Sequence, residues 1–193
     1  MIMQSTDKKW AIIMIGPPGS GNDTQVELLA RELQFVEIKS SQIIKDKLAN
    51  ADPNDAVMNR EKELKNSGQL NTSELVEAWM VERIEEVGKT AAGLIANGWP
   101  RKVREAEIEM SAVEKHYPKD AIKVVSIEIS EEESVKRNSL RRVCEKNGHP
   151  IFHTKENEGI TVCPQDGSPI IVRTDDAPET IKKRYQVYLA ETQ

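Results

Sequence analysis

Residues 10–25 read WAIIMIGPPGSGNDTQ, and this stretch decides the fold. Its first six residues form a continuous apolar run rich in isoleucine, which predicts a buried strand, and the glycines and prolines at 16–21 predict a tight loop. Beyond Thr24, apolar residues recur at helical spacing and predict an amphipathic helix: Val26, Leu29, Ala30 and Leu33. The unit is therefore a strand, a loop and a helix.

The rest of the chain continues this alternation as far as residue 140. Three more short apolar runs predict strands: 35–38, 92–96 and 122–129. The stretches between them have helical composition: 41–50, 55–66, 73–89 and 104–115. Strands that alternate with helices predict an α/β fold with a doubly wound parallel sheet. Residues 143–173 are rich in glycine, proline and asparagine and predict a small inserted lobe, and helical character resumes at 178–189.

Composition restricts the class of protein. The chain has 193 residues, with 27 basic and 32 acidic side chains and a net charge of −5. This length suits one domain with small insertions, and no apolar run reaches the about 18 residues of a membrane span. The first ten residues lack a secretory signal pattern, so we expect a cytoplasmic protein. Two cysteines cannot form a disulfide framework and are either metal-related or incidental.

The charge distribution is uneven. Five basic residues lie at 136–146, against Glu145 alone: Lys136, Arg137, Arg141, Arg142 and Lys146. This run predicts a bound anion, and its alternative is a solvated helix face. Nucleic acid is not expected as the partner, because the chain is acidic overall and the basic run has no interleaved aromatic residues.

The loop has the spacing of a phosphate-binding motif. Gly16 and Gly21 match G-x-x-x-x-G-K-[ST], in which backbone N–H groups wrap a phosphate at a helix N-terminus and a lysine bridges the terminal phosphates. Such a loop after a buried strand predicts nucleotide binding. The residues expected at the nucleotide are Gly16, Gly19, Ser20, Gly21, Asn22, Asp23 and Thr24.

Several motifs in order resemble the adenylate kinase family of nucleoside monophosphate kinases with a long lid. GPPGSG at 16–21, followed by Thr24-Gln25, resembles the family's loop. Residues 68–76, GQLNTSELV, resemble its G-x-L-V-P-D-E-L-V segment, and residues 97–101, NGWPR, resemble its D-G-F-P-R motif. Arg137-x3-Arg141-Arg142-x-Cys144 resembles the start of the mobile lid. Arg173, Asp175, Asp176, Glu179 and Arg184 resemble the segment that follows the lid.

The resemblance implies a P-loop NTPase-like parallel sheet with two inserted pieces. The implied boundaries are a core at 1–39, 71–140 and 174–193, a monophosphate-binding lobe at 40–70, and a small β-rich lid at 141–173. Members of the family transfer a phosphoryl group between Mg²⁺·ATP and AMP, so the implied ligands are ATP, ADP and AMP with Mg²⁺. The arginines implied around the transferring phosphoryl group are Arg137, Arg141, Arg173 and Arg184. For the last two, structural ion pairs with nearby carboxylates are the alternative.

The loop departs from the family pattern at two positions, where Asn22 and Asp23 replace lysine and glycine. Asn22 offers one neutral hydrogen bond in place of a charged one worth about 1.5–3 kcal/mol. A carboxylate about 4 Å from a phosphate oxygen is repelled by on the order of 4 kcal/mol. We therefore expect weak or absent phosphoryl transfer with a nucleotide-binding, regulatory or scaffold role. The alternative is an active kinase with rearranged contacts, in which Asp23 faces solvent or holds Mg²⁺, or Lys8 or Lys9 reaches the site.

The monophosphate side also departs from the family. Ser40 keeps a hydroxyl, whereas Lys45 replaces an arginine and loses its planar fork. Arg101 matches a phosphate-binding arginine, and Asn97 replaces an aspartate that orders the water shell of the metal. Glu105 replaces the glutamine that reads adenine, and an ionised carboxylate offers only acceptors. We expect a loosened preference for AMP.

The lid carries possible zinc ligands. The family uses two C-x2-C pairs, and here three of the four positions suit zinc: Cys144, Cys163 and Asp166. Asn147, at the fourth position, is a poor ligand, and His149 or His153 is the alternative donor. Without metal, the lobe closes with hydrogen bonds and an apolar cluster: Ile151, Phe152, Ile160, Val162 and Ile170.

The end of the chain affects the sheet. The family continues past Arg184 with another strand and a closing helix, whereas this chain stops at Gln193. The strand at 122–129 is then expected to have an exposed edge, and such edges invite pairing with another chain. Either the chain is truncated, or a dimer or a protein partner covers this edge.

Overall fold

The computed structural model describes residues 8–67, 69–151, 154–173 and 176–193. Gly68, Phe152, His153 and Asp175 of the motifs above lie outside these ranges. The chain forms two compact units. The first comprises residues up to 15, 22–126 and 192, and the second comprises 16–21, 127–191 and 193. The implied boundaries of core, lobe and lid stay a prediction.

The first unit is built on a four-stranded parallel sheet. Its strands are β1 (Trp10–Ile15), β2 (Val36–Ile38), β3 (Gly93–Asn97) and β4 (Ile122–Ser126), in the order β2-β3-β1-β4. In register, Ile12 of β1 lies beside Ile95 of β3, and Ile13 beside Val124 of β4. The predicted α/β fold with a parallel sheet is confirmed. All five residues of β3 are buried, which is why this strand has no polar alternation.

Five helices complete the first unit. They are α1 (Asn22–Leu33), α2 (Ser40–Ala49), α3 (Ala56–Asn66), α4 (Ser73–Thr90) and α5 (Val103–Glu114). The sequence patterns predicted α2 to α5 to within one residue at each end. The apolar core forms between strands and helices, and it includes Ile13, Ile38, Met80, Ile84, Leu94, Val113 and Tyr117.

Two polar residues fix α3 and the start of α4. Asp55 caps α3 by accepting hydrogen bonds from the N–H groups of Val57 and Met58, at 2.9 and 3.1 Å. The buried Glu61 accepts from the Thr72 hydroxyl at 2.6 Å and from the Asn71 amide at 2.9 Å. Burial favours the neutral acid, but these hydrogen bonds outweigh it and hold the pKa of Glu61 below its usual value.

The second unit contains the loop at 16–21, two longer helices and a small sheet. The helices are α6 (Glu131–Ser139) and α7 (Pro178–Glu191), and the strands are β5 (Arg142–Cys144), β6 (Pro150–Ile151) and β7 (Ile170–Ile171). The sheet is antiparallel, in the order β6-β5-β7. The inserted stretch thus contains a short three-stranded antiparallel sheet.

The apolar cluster of the second unit differs from the predicted one at Val162. Cys144, Ile151 and Cys163 are buried, and Ile160 and Ile170 pack against them. Val162 was expected in this cluster, but it is 54% exposed. The reason is strand-like alternation: Cys163 points inward, so the side chain of its neighbour points outward.

The edge of the parallel sheet at β4 is exposed, as predicted for the strand at 122–129. The strand itself ends at Ser126, and residues 127–129 belong to the second unit. Among the described residues β4 pairs with β1 alone, and Val124 is 64% exposed. No helix within the described ranges is both long and apolar enough to cross a bilayer.

One buried carboxyl in the first unit has no hydrogen-bond partner on one oxygen. Glu109 of α5 is 3% exposed, and its Oε2 finds no partner among the described residues. Burial raises the pKa of Glu109 to about 8, and the negative charges of Glu105 and Glu77 add to the effect. The side chain is therefore protonated in the folded protein at neutral pH.

We predict that Glu109→Gln stabilises the protein at alkaline pH. The pKa of Glu109 is raised in the folded state, so its contribution is fully present below the ordinary value of 4.5 and is lost as the pH rises through about 8. The variant cannot ionise at this position. We expect it to gain about 1–3 kcal/mol in unfolding free energy at pH 8 and much less at pH 5.

Urea unfolding at both pH values measures this difference, and Glu107→Gln, at an exposed position of the same helix, is the matched control. An equal pH dependence in the Glu109→Gln variant and the unmodified protein would contradict the prediction.

Candidate functional site

The loop at 16–21 packs against α6 within the second unit. Gly19 has a φ of +76°, and a Cβ at this position would lie 2.4 Å from Nδ2 of Asn138, so a larger residue does not fit. The Ser134 hydroxyl donates to the carbonyl of Pro18 at 2.6 Å. Gly21, with a φ of +101°, then turns the chain into α1. The predicted strand, loop and helix are thus present.

Polar atoms in and beside the loop lack hydrogen-bond partners. Ser20 Oγ, Asn22 Oδ1 and Asn138 Oδ1 are each buried without a partner among the described residues. Buried polar atoms in proteins almost always form hydrogen bonds, so each of these oxygen atoms is available to a hydrogen bond with a ligand or a water molecule. Ser20 and Asn22 are two of the residues predicted to contact a nucleotide.

A polar network lies at the start of α1, within the first unit. Oδ1 of Asp23 accepts from Nζ of Lys39 at 2.5 Å and from Nδ2 of Asn97 at 2.8 Å. The same Asn97 nitrogen donates to Oε1 of Glu37 at 2.7 Å. Glu37 lies in β2 and Asn97 ends β3, so the network sits at the carboxyl edge of the sheet. Open α/β sheets bind their ligands at this edge.

The contacts of Lys8 and Lys9 test one of the alternatives raised by the sequence, that either lysine reaches the loop. Lys8 forms an ion pair with Asp120, and Lys9 donates to the carbonyl of Gly88 at 2.6 Å. Both lysines precede β1 and lie at the amino ends of the strands, so the idea that either reaches the loop is wrong. The cation beside Asp23 is Lys39, which our sequence reasoning missed. Its place directly after β2 was the available signal, because the ends of neighbouring parallel strands meet.

The residues expected at the monophosphate are distributed over two helices of the first unit. Ser40 is the first residue of α2, and Lys45 is exposed on the same helix. Arg101 donates from Nε to the carbonyl of Gly98 at 2.5 Å. Glu105, in the first turn of α5, accepts from the backbone N–H of Arg101 at 2.9 Å and so acts as a helix cap. The roles of these four residues toward AMP stay a prediction.

The four predicted arginines all lie in the second unit. Arg137 donates to Glu133 at 2.7 Å, one helical turn away on α6. Arg141 grips Asp176 with two hydrogen bonds, one of them from Nε at 2.9 Å, and the Asp176 side chain is completely buried. Arg173 and Arg184 are exposed. Asp176 therefore pairs with Arg141. A structural ion pair between Arg173 and a nearby carboxylate stays a prediction.

Four side chains converge in the small sheet of the second unit. The predicted ligands Cys144, Cys163 and Asp166 lie together with His149, and their four donor atoms are all within 4.8 Å of one another. Nδ1 of His149 is 3.4 and 3.5 Å from the two sulfur atoms and 3.3 Å from Oδ2 of Asp166. His153, the other histidine considered, lies outside the described residues.

Four of the distances among these donor atoms, at 3.3–3.5 Å, are close to those of a tetrahedral zinc site. Bond lengths of about 2.3 Å to sulfur and about 2.0 Å to nitrogen or oxygen place neighbouring ligand atoms about 3.3–3.8 Å apart. The Cys144 sulfur lies 3.4 Å from Oδ2 of Asp166, within that range. Asn147, the poor ligand, instead donates to Asp166 at 2.7 Å.

The surroundings favour the charged forms of two of these ligands. Burial opposes ionisation of Cys144, but hydrogen bonds from the backbone of Asn147 and the side chain of Ser168 outweigh it and lower the pKa of the thiol. Ser168 also donates its hydroxyl and its backbone N–H to Asp166, at 2.7 and 2.9 Å, and lowers the pKa of that carboxyl.

The parallel sheet and the glycine-rich loop between β1 and α1 define a class: a nucleotide-binding protein with the P-loop NTPase fold. Comparison with known proteins gives the family. The profile of the adenylate kinase family matches residues 14–193. Adenylate kinase from Petrotoga mobilis is 32% identical over 186 residues, which cover 94% of this chain and 81% of the relative.

Two further adenylate kinases agree with this assignment. The enzyme of Carboxydothermus hydrogenoformans is 32% identical over 185 residues, covering 94% of this chain and 83% of the relative. That of Streptomyces coelicolor is 33% identical over 187 residues, with 94% and 82% covered. The chain belongs to the adenylate kinase family, as its motifs predicted.

Proposed function

We propose that this protein binds adenine nucleotides at the loop 16–24 and transfers phosphoryl groups weakly or not at all. One observation carries the proposal: the position of the phosphate-bridging lysine holds Asn22, and the next residue places a carboxylate in the first turn of α1. The carboxylate of Asp23 is held there by Lys39 and Asn97.

The chemistry of the reaction explains why these two residues matter. Phosphoryl transfer depends on positioned cations, because negative charge spreads over the oxygens of the transferring group. Asn22 brings an uncharged amide to this place. Asp23 brings negative charge to a helix N-terminus, where it competes with a phosphate for the same favourable end of the dipole. We expect the two residues to weaken nucleotide binding and to slow phosphoryl transfer by a larger factor, because the negative charge on the phosphoryl oxygens grows during the reaction.

Other parts of the site still support nucleotide binding. The loop keeps its glycines and its unpaired Ser20 hydroxyl, and the second unit keeps four arginines. Magnesium enters such sites with the nucleotide and neutralises phosphate charge. The carboxylates of Asp23 and Glu37 are oxygen donors of the kind this ion prefers, and both lie at the carboxyl edge of the sheet. A protein with these features acts as a nucleotide-dependent regulator or scaffold.

The second candidate function is an active kinase with rearranged phosphate contacts. The specific observation that favours it is Lys39, a cation beside the altered loop residue. We prefer impaired transfer, because Nζ of Lys39 is already engaged by Asp23 at 2.5 Å.

We also propose that the four donors in the small sheet bind zinc. Two thiolates, one imidazole and one carboxylate form a suitable set, and their spacing fits a closed tetrahedral site. The metal closes a lobe that has only a small apolar cluster. The role is structural, because all four positions are taken by protein ligands.

The exposed edge of β4 supports a further proposal, that a second copy of this chain pairs along it. Side chains on both faces of the strand are uncovered, as Val124 and its neighbour Val125 show. Neighbouring side chains of a strand point to opposite faces, so both faces of this edge are open to a partner.

We predict that the unmodified protein converts ADP into ATP and AMP at no more than background rate. Combining Asn22→Lys with Asp23→Gly restores a cation and removes an anion, and we expect a gain of at least about tenfold. A coupled spectrophotometric assay measures the rate, and calorimetry with a dinucleotide bisubstrate analogue measures binding. Asn22→Lys alone is the matched control and should gain less. Robust turnover by the unmodified protein would refute impaired transfer.

For the metal, we expect one zinc ion per chain by native mass spectrometry after purification without chelator. His149→Ala and Cys163→Ser should lose the ion, because each leaves three ligands. Asn147→Ala, between two of the ligands in the chain, is the control and should keep it. Loss of zinc in the Asn147 variant with retention in the His149 variant would show that the ligand set is wrong.

For the sheet edge, light scattering coupled to gel filtration should report a dimer, and Val124→Lys should shift it to monomer by placing a charge in the pairing strand. The control is Val57→Lys on α3, where the original side chain is similarly exposed at 58% against 64% for Val124. A monomeric unmodified protein at all concentrations would exclude the pairing.

A further inference from the structure

Lys39 links the starts of two helices at the carboxyl edge of the sheet. We propose that Lys39 is a positioning residue that neutralises Asp23, and that this ion pair lets the loop hold a phosphate despite the neighbouring carboxylate. The inference rests on the proposed nucleotide binding and adds the residue on which that binding depends.

The position of Lys39 is costly for its own helix. It is the N-cap of α2, with an extended backbone at φ −130° and ψ 117°, and its side chain makes no capping hydrogen bond. Lysine is not among the residues favoured at this position, and a cation is unfavourable near the positive end of a helix dipole. Local helix formation therefore does not explain Lys39. The contact that offsets the cost is the one with Asp23, at 2.5 Å.

Asn97 orients the carboxylate without neutralising it. Its side-chain nitrogen donates to Asp23 and to Glu37, at 2.8 and 2.7 Å, so both N–H bonds are used. The amide is neutral, so Asn97 brings no positive charge to the two carboxylates at this edge. Within this network, Lys39 supplies the cation.

The charge balance gives the direction of the effect. With Lys39 present, the network of Asp23, Glu37, Asn97 and Lys39 carries one net negative charge. Without Lys39 the network carries two net negative charges. One of them belongs to Asp23, which follows Gly21 of the phosphate loop by two residues. Consecutive Cα atoms are about 3.8 Å apart, so chain connectivity keeps the Cα of Asp23 within about 7.6 Å of the Cα of Gly21. Because the Lys39 side chain is 39% exposed, solvent screens part of the repulsion, and we expect about a tenfold loss in nucleotide affinity.

The test is a double-mutant cycle on the full chain, read by calorimetry with ADP at fixed ionic strength. The variants are Lys39→Met, Asp23→Asn and the two combined. Lys39→Met alone should weaken ADP binding about tenfold, whereas in the Asp23→Asn background the same change should alter it by no more than about twofold. Lys47→Met is the matched control, because Lys47 lies on the same helix, pairs with Glu82 and is 35% exposed.

A second readout reports the ion pair itself. The carbon-13 NMR titration of the Asp23 carboxyl should show a higher pKa in Lys39→Met than in the unmodified chain, with or without nucleotide, because the cation that favours ionisation is gone. This titration reports the ion pair, and the calorimetric cycle reports its effect on nucleotide binding. Thermal unfolding of each variant confirms that it is folded.

Each outcome decides one statement. If the unmodified protein binds no ADP, the proposed function is refuted and this inference falls with it. If ADP binds and Lys39→Met leaves its affinity unchanged, this inference alone is refuted. If Lys39→Met weakens binding equally in both backgrounds, Lys39 contacts the phosphate directly and the neutralisation of Asp23 is excluded.

Discussion

Parallel pairing of β1 with β3, and of β3 with β2, determines where the charged residues of this protein meet. All of these strands end at the same edge, so residues far apart in the chain come within hydrogen-bond distance there. Asp23 and Asn97 are 74 positions apart and lie 2.8 Å from each other. The same edge is where an α/β sheet presents helix N-termini to an anion. Any negative ligand bound at the start of α1 must therefore share that place with Asp23.

Binding and transfer depend on this edge to different degrees. A bound nucleotide is held by many contacts, among them the backbone N–H groups of a glycine-rich loop, and those contacts do not require the residues at positions 22 and 23. Transfer requires cations at the oxygens whose charge grows during the reaction. A neutral Asn22 and a Lys39 that is engaged by Asp23 leave the start of α1 poorer in such cations, although the loop at 16–21 keeps its glycines. The proposed function therefore rests on a difference between binding, which depends on many contacts, and transfer, which depends on a few positioned cations.

Sequence reasoning predicted what depends on local pattern. The strands and helices of the first unit followed from apolar periodicity, and the grouping of Cys144, Cys163 and Asp166 from the family resemblance. The partners of charged residues were not predictable in this way. Lys39 with Asp23 and Arg141 with Asp176 depend on how separate elements pack, and helical periodicity alone does not mark Glu109 as buried beside other acids. His149 is the intermediate case, because it was one of two histidines that the spacing left open.

The retained arginines do not by themselves argue for catalysis. Arg141 donates two hydrogen bonds to the carboxylate of Asp176, whose side chain is completely buried. Removing one partner of a buried ion pair typically costs about 3–5 kcal/mol, because the other charge is left uncompensated. An arginine in this position therefore stabilises the second unit whether or not a phosphoryl group is ever transferred. Arg137 likewise has a partner on its own helix in Glu133. A site that catalyses transfer is therefore distinguished from one that only binds nucleotide by cations that do not also stabilise the fold. At position 22, where the family has such a cation, this chain has an uncharged asparagine.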